Sequence, residues 1–124
     1  MVRVPSLPAY LVQKGAVFFK RSDRERRSKD LLYIVEIMAE GGALVERIED
    51  GIRKFCEESV AAATLARSAR NSVSLALAQT QGDLLPLVSD ALEVRYGWSK
   101  ERARARARGF LQDFVDLIPE NCGA

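Results

Sequence analysis

The sequence predicts an all-α protein, a single helical domain at 1–124 with about five helices and a short extended segment at its N-terminus. Apolar residues recur three and four positions apart along most of the chain, which is the spacing of one helix face. Proline, serine and glycine stand where these stretches begin and end. The single strand candidate, Val2-Arg3-Val4, stops at Pro5. It has no second strand in the chain to pair with, so it is either loose or paired across a subunit or domain boundary.

A basic turn separates the first two predicted helices. Leu7-Pro8 marks the start of the first helix, and Lys14 lies beside its apolar face. Ser28 is the predicted N-cap of the second helix, which places Asp30 in the first turn, and Gly41-Gly42 is its predicted end. The apolar faces comprise Leu11, Val12, Gly15, Phe18 and Phe19 in the first helix, and Leu31, Ile34, Val35 and Met38 in the second.

The remaining helices are predicted at 43–58, 59–80, 86–97 and from Ser99 to Pro119. The stretch at 59–80 carries only Arg67 and Arg70 as charges and is rich in alanine and serine. It is therefore predicted to be a central helix packed on several sides, or a subunit interface. The inward-facing residues of the last two helices are predicted to be Leu87, Val88, Ala91, Leu92 and Val94, and Phe110, Phe114, Val115 and Ile118.

Two segments are strongly basic. Residues 20–29 hold six basic and two acidic side chains, and residues 100–108 hold five and one, a net charge of +4 in each case. The Arg-Ala repeat of the second segment has a strand-like period, but both residue types favour helix. In a helix, two of its arginines share one side and two share another, and no aromatic residue is interleaved for base stacking. The predicted patch for nucleic acid or an acidic partner comprises Lys20, Arg21, Arg24, Arg26, Arg102, Arg104, Arg106 and Arg108.

Composition excludes several kinds of chemistry. The chain has no histidine, which removes histidine-based acid–base catalysis, nucleophile activation and zinc ligation. Its two cysteines, Cys56 and Cys122, are too few and too far apart to predict a disulfide framework, and Cys56 is interpreted as a small buried thiol or a quiet surface one. No membrane span or secretion signal is recognised, so the predicted location is cytoplasmic.

Residues 2–37 contain three short motifs in order: Val4-Pro5, then Lys14, then Arg27-Ser28-Lys29-Asp30. This order resembles the C-terminal half of nucleotidyltransferase-fold proteins of the abortive-infection toxin type and their uncharacterised relatives. The resemblance divides the domain into a nucleotidyltransferase-like segment at 1–40 and a helical bundle at 41–124.

The resemblance also implies roles for individual residues. Lys14 would bind a nucleotide phosphate, Arg27 and Lys29 would add phosphate contacts, and Asp30 would orient Lys14 or the nucleotide. The family has an acidic residue three positions after this aspartate, where the present chain has Tyr33.

The catalytic half of the resembled family has no counterpart here. Its Gly-Ser turn and Asp-x-Asp pair hold the metal ions that neutralise the phosphates, and no two aspartates of this chain have that spacing. We therefore expect no catalytic residue, no metal ligand and no cofactor in the isolated chain. Magnesium and a nucleoside triphosphate would serve as cofactors only if a catalytic half completed the site.

Three functional hypotheses remain open. The chain is the helical part of a nucleotidyltransferase-like protein, completed by another domain or subunit; or a stand-alone interaction module without catalysis; or a helical nucleic-acid-binding protein. The expected partners are accordingly a second copy of the chain or a catalytic-half subunit, with nucleic acid a further candidate and no membrane. A homodimer would place Ala66, Ala69 and Val73 near its contact.

Overall fold

The all-α prediction is confirmed. A computed structural model describes residues 6–20, 23–78 and 84–122, and within these ranges it contains six α-helices and one 3-10 helix, with no strand. The Val2–Val4 strand candidate, Arg21 and the break at 81–83 lie outside the described residues. The elements are α1 (Leu7–Val17), a 3-10 turn (Phe18–Lys20), α2 (Arg24–Glu40), α3 (Gly42–Glu58), α4 (Val60–Ala78), α5 (Leu84–Tyr96) and α6 (Lys100–Leu117).

Local capping explains several helix ends. The Ser6 hydroxyl accepts a hydrogen bond from the Ala9 amide at the start of α1, and the Ser99 hydroxyl accepts one from the Arg102 amide at the start of α6. Gly41 ends α2 with a φ of 64°, in the left-handed region that favours glycine. The Arg-Ala repeat lies within α6, as its helix propensity predicted.

The predicted start of α2 was wrong. The helix begins at Arg24, and Asp23 is its N-cap, accepting a hydrogen bond of 2.9 Å from the Glu25 amide. Ser28 lies inside the helix, where its hydroxyl donates to the Glu25 carbonyl at 2.8 Å. Asp23 is as good an N-cap as Ser28, and the arginines and glutamate after it favour helix, so the helix starts at the earlier cap. Asp30 therefore lies beyond the first turn and gains no support from the helix terminus.

The core lies among four helices. α1, α4, α6 and α2 follow one another around it, α3 covers the side formed by α1 and α4, and α5 covers the side formed by α2 and α6. Of the predicted apolar face of the first helix, Leu11, Val12 and Gly15 of α1 and Phe18 of the 3-10 turn are buried, and the side chain of Phe19 lies outside the described residues. The predicted stripe of α2 is buried throughout. Phe114 of α6, which is fully buried, reaches the position that a side chain at Gly15 would occupy. The described part of the 1–40 segment thus shares one core with the rest of the described chain.

The α4 helix is central, which corrects the expected dimer contact. Ala66, Ala69 and Val73 are completely buried inside the same chain. They cannot lie at a subunit interface in this fold. The homodimer stays a prediction, and the large apolar side chains of α4 that are exposed are Val60 and Leu75.

One predicted inward residue of α5 faces solvent. Val94 is 88% exposed, whereas Val88 and Leu92 are buried as predicted. Val88 and Leu92 are four residues apart and share a helix face, and Val94 lies on the opposite side from Leu92.

The two cysteines form a disulfide, contrary to the prediction of a thiol at Cys56. Cys56 near the end of α3 is bonded to Cys122 after α6, with Cα atoms 5.5 Å apart. The helical topology brings together two positions that are 66 residues apart in sequence. Disulfides are typical of oxidising compartments, whereas the predicted location, the cytoplasm, is reducing. The cytoplasmic location therefore remains a prediction. In the described ranges, no helix combines the length and hydropathy needed to span a bilayer.

Candidate functional site

An ion pair joins the two residues that the sequence motifs singled out most strongly. Lys14 on α1 donates from its Nζ to Oδ1 of Asp30 on α2 at 3.0 Å. The Asp30 side chain is 5% exposed and that of Lys14 is 21% exposed. The carboxylate is thus buried between the helices, whereas part of the Lys14 side chain is exposed to solvent. The structure brings the two side chains together as the expected orienting role of Asp30 requires, and the binding of phosphate by Lys14 stays a prediction.

Two tyrosines surround the ammonium. Tyr10 and Tyr33 meet edge to face with ring centroids 5.2 Å apart, and the Lys14 Nζ lies 5.2 Å and 6.0 Å from the two centroids. Both distances are within the range of cation–π attraction. Tyr33, where the resembled family has an acid, therefore offers the ammonium an aromatic ring rather than a second carboxylate. Sequence reasoning missed Tyr10 as a site residue, although it lies four residues before Lys14 and so one helical turn away.

The electrostatics of the site favour the charged lysine. Burial, the largest single influence, lowers the pKa of Lys14, but the hydrogen bond and charge of Asp30, followed by those of Tyr10, together outweigh it. The pKa of Lys14 therefore lies above its ordinary value, and the ammonium stays protonated at neutral pH.

Replacing Lys14 with methionine, which keeps the aliphatic stem and removes the charge, is expected to lower the unfolding free energy by roughly 1–2 kcal/mol at neutral pH. The folded-state pKa lies above the unfolded value of about 10.4, so this stabilisation is complete below that pH and is lost as pH rises through the folded-state pKa. Urea unfolding of both proteins at neutral and alkaline pH measures the difference. A difference that grows at alkaline pH would contradict the assignment. Lys54→Met, which removes an exposed lysine paired with Asp50, is the control and should have little effect.

The other predicted phosphate contacts lie on α2. Arg27 is half-buried and precedes Asp30 by three residues, which places it on the same side of the helix, whereas Lys29 is exposed and points elsewhere. Among the patch residues near them, Lys20 and Arg26 are exposed. Arg24 begins α2, but its side chain, like Arg21, lies outside the described part of the chain.

The four α6 arginines divide into different environments. Arg108 donates to the Leu77 carbonyl of α4 at 2.8 Å and so fastens two helices together. Arg102 and Arg106 both lie over the ring of Trp98, and Arg104 is exposed. The sequence interpretation that no aromatic residue accompanies these arginines is therefore corrected, because the fold places Trp98 beside two of them.

Neither a group of metal ligands nor a similar protein assigns a function to this site. Within 6–20, 23–78 and 84–122, no three acidic or cysteine side chains are grouped so that they could hold a metal ion. No protein-family model, curated protein or solved structure matches the chain.

Proposed function

We propose that this helical domain supplies the phosphate-binding wall of a nucleotide site that a catalytic domain or a second subunit completes, and that it transfers no nucleotide alone. The observation that carries the proposal is the Lys14–Asp30 ion pair, because it joins the two motif residues to which the nucleotidyltransferase resemblance assigns linked roles. The absence of an Asp-x-Asp pair from the sequence is the reason to assign the metal-dependent step to another polypeptide.

The geometry suits recognition of a phosphate. A lysine ammonium has three hydrogen-bond donors, of which Asp30 takes one and Tyr10 a second, while part of the side chain remains exposed to solvent. The Tyr10 and Tyr33 rings restrict the side chain further. A lysine that is already ordered loses less conformational entropy when it binds a ligand than a freely rotating one. The elevated pKa of Lys14 keeps it cationic for an anionic ligand.

The competing explanation is that the ion pair only joins α1 to α2. Both explanations predict lower stability for Lys14→Met, so stability cannot distinguish them. Ligand binding can, because a purely structural pair has no reason to respond to a nucleotide.

The test is a titration with ATP, followed by NMR of the lysine side-chain signals of the isotope-labelled protein. We expect the Lys14 signals to shift with ATP and those of Lys54 on α3 to remain in place. Loss of one charge-assisted contact predicts an affinity about tenfold weaker in Lys14→Met, with little change in the Lys54→Met control. Lys14 signals that do not respond to ATP, or equal losses in both variants, would refute the proposal.

A further inference from the structure

A stack of aromatic rings and guanidinium groups lies where α5 meets α6. The rings of Tyr96 and Trp98 are stacked, with centroids 4.7 Å apart and planes inclined by 19°. Gly97 stands between them with a φ of 67°, a conformation that glycine adopts readily and that turns the chain so that the rings can meet. The guanidinium carbons of Arg102 and Arg106 lie 5.3 Å and 5.9 Å from the Trp98 ring centroid.

These side chains border an open cleft. The cleft has a volume of about 370 Å³ and lies between the end of α2 and the first turns of α6. This volume is within the range of small-ligand sites, near its lower end. The Tyr96 ring is 41% exposed, Trp98 is half-buried, and both arginines are exposed. The cleft is lined mainly by Glu40, Tyr96, Trp98, Arg102, Arg106 and Phe110.

The charge beside the cleft is predominantly positive, because two arginines line it against the single carboxylate of Glu40. Residues 100–108 have a net charge of +4, and in the described part of the chain no carboxylate forms an ion pair with Arg102, Arg104 or Arg106. Arg108, by contrast, has a structural partner in the Leu77 carbonyl. The fold therefore leaves cationic side chains beside a partly exposed aromatic surface.

We propose that this cleft binds single-stranded nucleic acid, with a base stacked on the rings or on a guanidinium plane and the phosphates bound by Arg102 and Arg106. Aromatic rings and arginine planes stack on unpaired bases, and arginines pair with the phosphates that flank them. An acidic peptide would satisfy the arginines but would leave the rings without a role. A duplex hides the faces of its bases from the rings.

The cleft is separate from the Lys14–Asp30 pair. Glu40, which borders the cleft, and Asp30 are ten residues apart on α2, which corresponds to about 15 Å along the helix axis. The proposal therefore does not depend on the nucleotide site between α1 and α2, and each can fail without the other.

The chain carries its own probe of this site, because Trp98 is its single tryptophan. Titration with a short mixed-sequence single-stranded RNA should quench the Trp98 fluorescence, and anisotropy of the labelled RNA gives the affinity. Arg106→Ala is expected to weaken binding about tenfold and to reduce the slope of affinity against salt, on logarithmic scales, by about 0.7. The matched control is Arg104→Ala, which removes the same charge from the same helix on the other side of its axis and should change the affinity far less.

A second variant separates stacking from charge. Tyr96→Leu keeps the net charge and is expected to weaken RNA binding about fivefold or more, with an unchanged salt slope. Circular dichroism of each variant checks that the fold is intact. The proposal is overturned if RNA leaves Trp98 fluorescence unchanged, if Arg104→Ala is as damaging as Arg106→Ala, or if duplex RNA or polyglutamate binds as tightly as the single strand.

Discussion

Replacing Ala69 with glutamate is expected to destabilise the protein strongly. Ala69 has no exposed surface, and its Cβ lies only 3.1 Å from where a Cβ on Gly15 of α1 would be placed. A carboxylate in this seam would have neither space nor solvent. An unpaired buried charge costs several kcal/mol, so we expect a loss of at least about 4 kcal/mol from a domain whose total stability is on the order of 5–15 kcal/mol.

Circular dichroism and urea unfolding measure the effect, and Leu75→Glu is the control. Leu75 lies on the same helix but is 63% exposed, so a glutamate there keeps its hydration and should change stability little. If the Ala69→Glu protein remained folded and merely changed its oligomeric state, α4 would have to face a partner at this position, and the packing described above would be wrong.

The helices were predictable because their determinants are local. Spacing of apolar residues identified the buried faces of α1 and α2, and Ser99 and Gly41 identified a helix start and a helix end. In α6, intrinsic helix propensity correctly outweighed the strand-like period of the arginines. Where two local determinants competed, as Asp23 and Ser28 did for the start of α2, the prediction gave too little weight to the helix propensity of the residues between them.

Features that depend on the packing of distant segments were harder to predict. The alanine-rich composition of α4 was consistent with a central helix and with a subunit interface. Only the packing of α1, α3 and α6 around it shows that it is a central helix. The Cys56–Cys122 pairing was missed because sequence separation says nothing of proximity in a helical bundle. A four-residue spacing from Trp98 to Arg102 and on to Arg106 was visible in the sequence and would have indicated the aromatic–arginine cluster.

Only part of the candidate site was predicted, and that part came from the resemblance. The rest of the site could not be predicted from the sequence. The motifs selected Lys14 and Asp30, and the structure places these residues in contact across two helices. Composition and spacing alone gave Lys14 no more than the status of a surface lysine. Its elevated pKa and its tyrosine neighbours arise from how α1 and α2 pack, which local patterns do not report.

Removing the disulfide by the double substitution Cys56→Ser and Cys122→Ser is expected to destabilise the protein by about 4 kcal/mol. The bond spans 66 residues, and in the chain-entropy account a loop of that length strongly restricts the unfolded state. The melting temperature should fall by roughly 10–20 °C, with the native helical content retained at low temperature. Guanidinium and thermal unfolding under non-reducing conditions measure both quantities.

The folded state should survive this change because other contacts also hold the C-terminal segment. Arg67 of α4 donates to the Cys122 carbonyl, and Arg70 donates to the Ile118 carbonyl at 3.1 Å and forms an ion pair with Glu120. Wild-type protein with reductant is the matched control, because reduction removes the same covalent link and should give the stability of the double variant. Labelling of two free thiols in unfolded, unreduced wild-type protein would show that the bond is absent. If the bond is present, the chain is about 4 kcal/mol more stable in an oxidising compartment than in a reducing one, so its redox environment determines how well it stays folded.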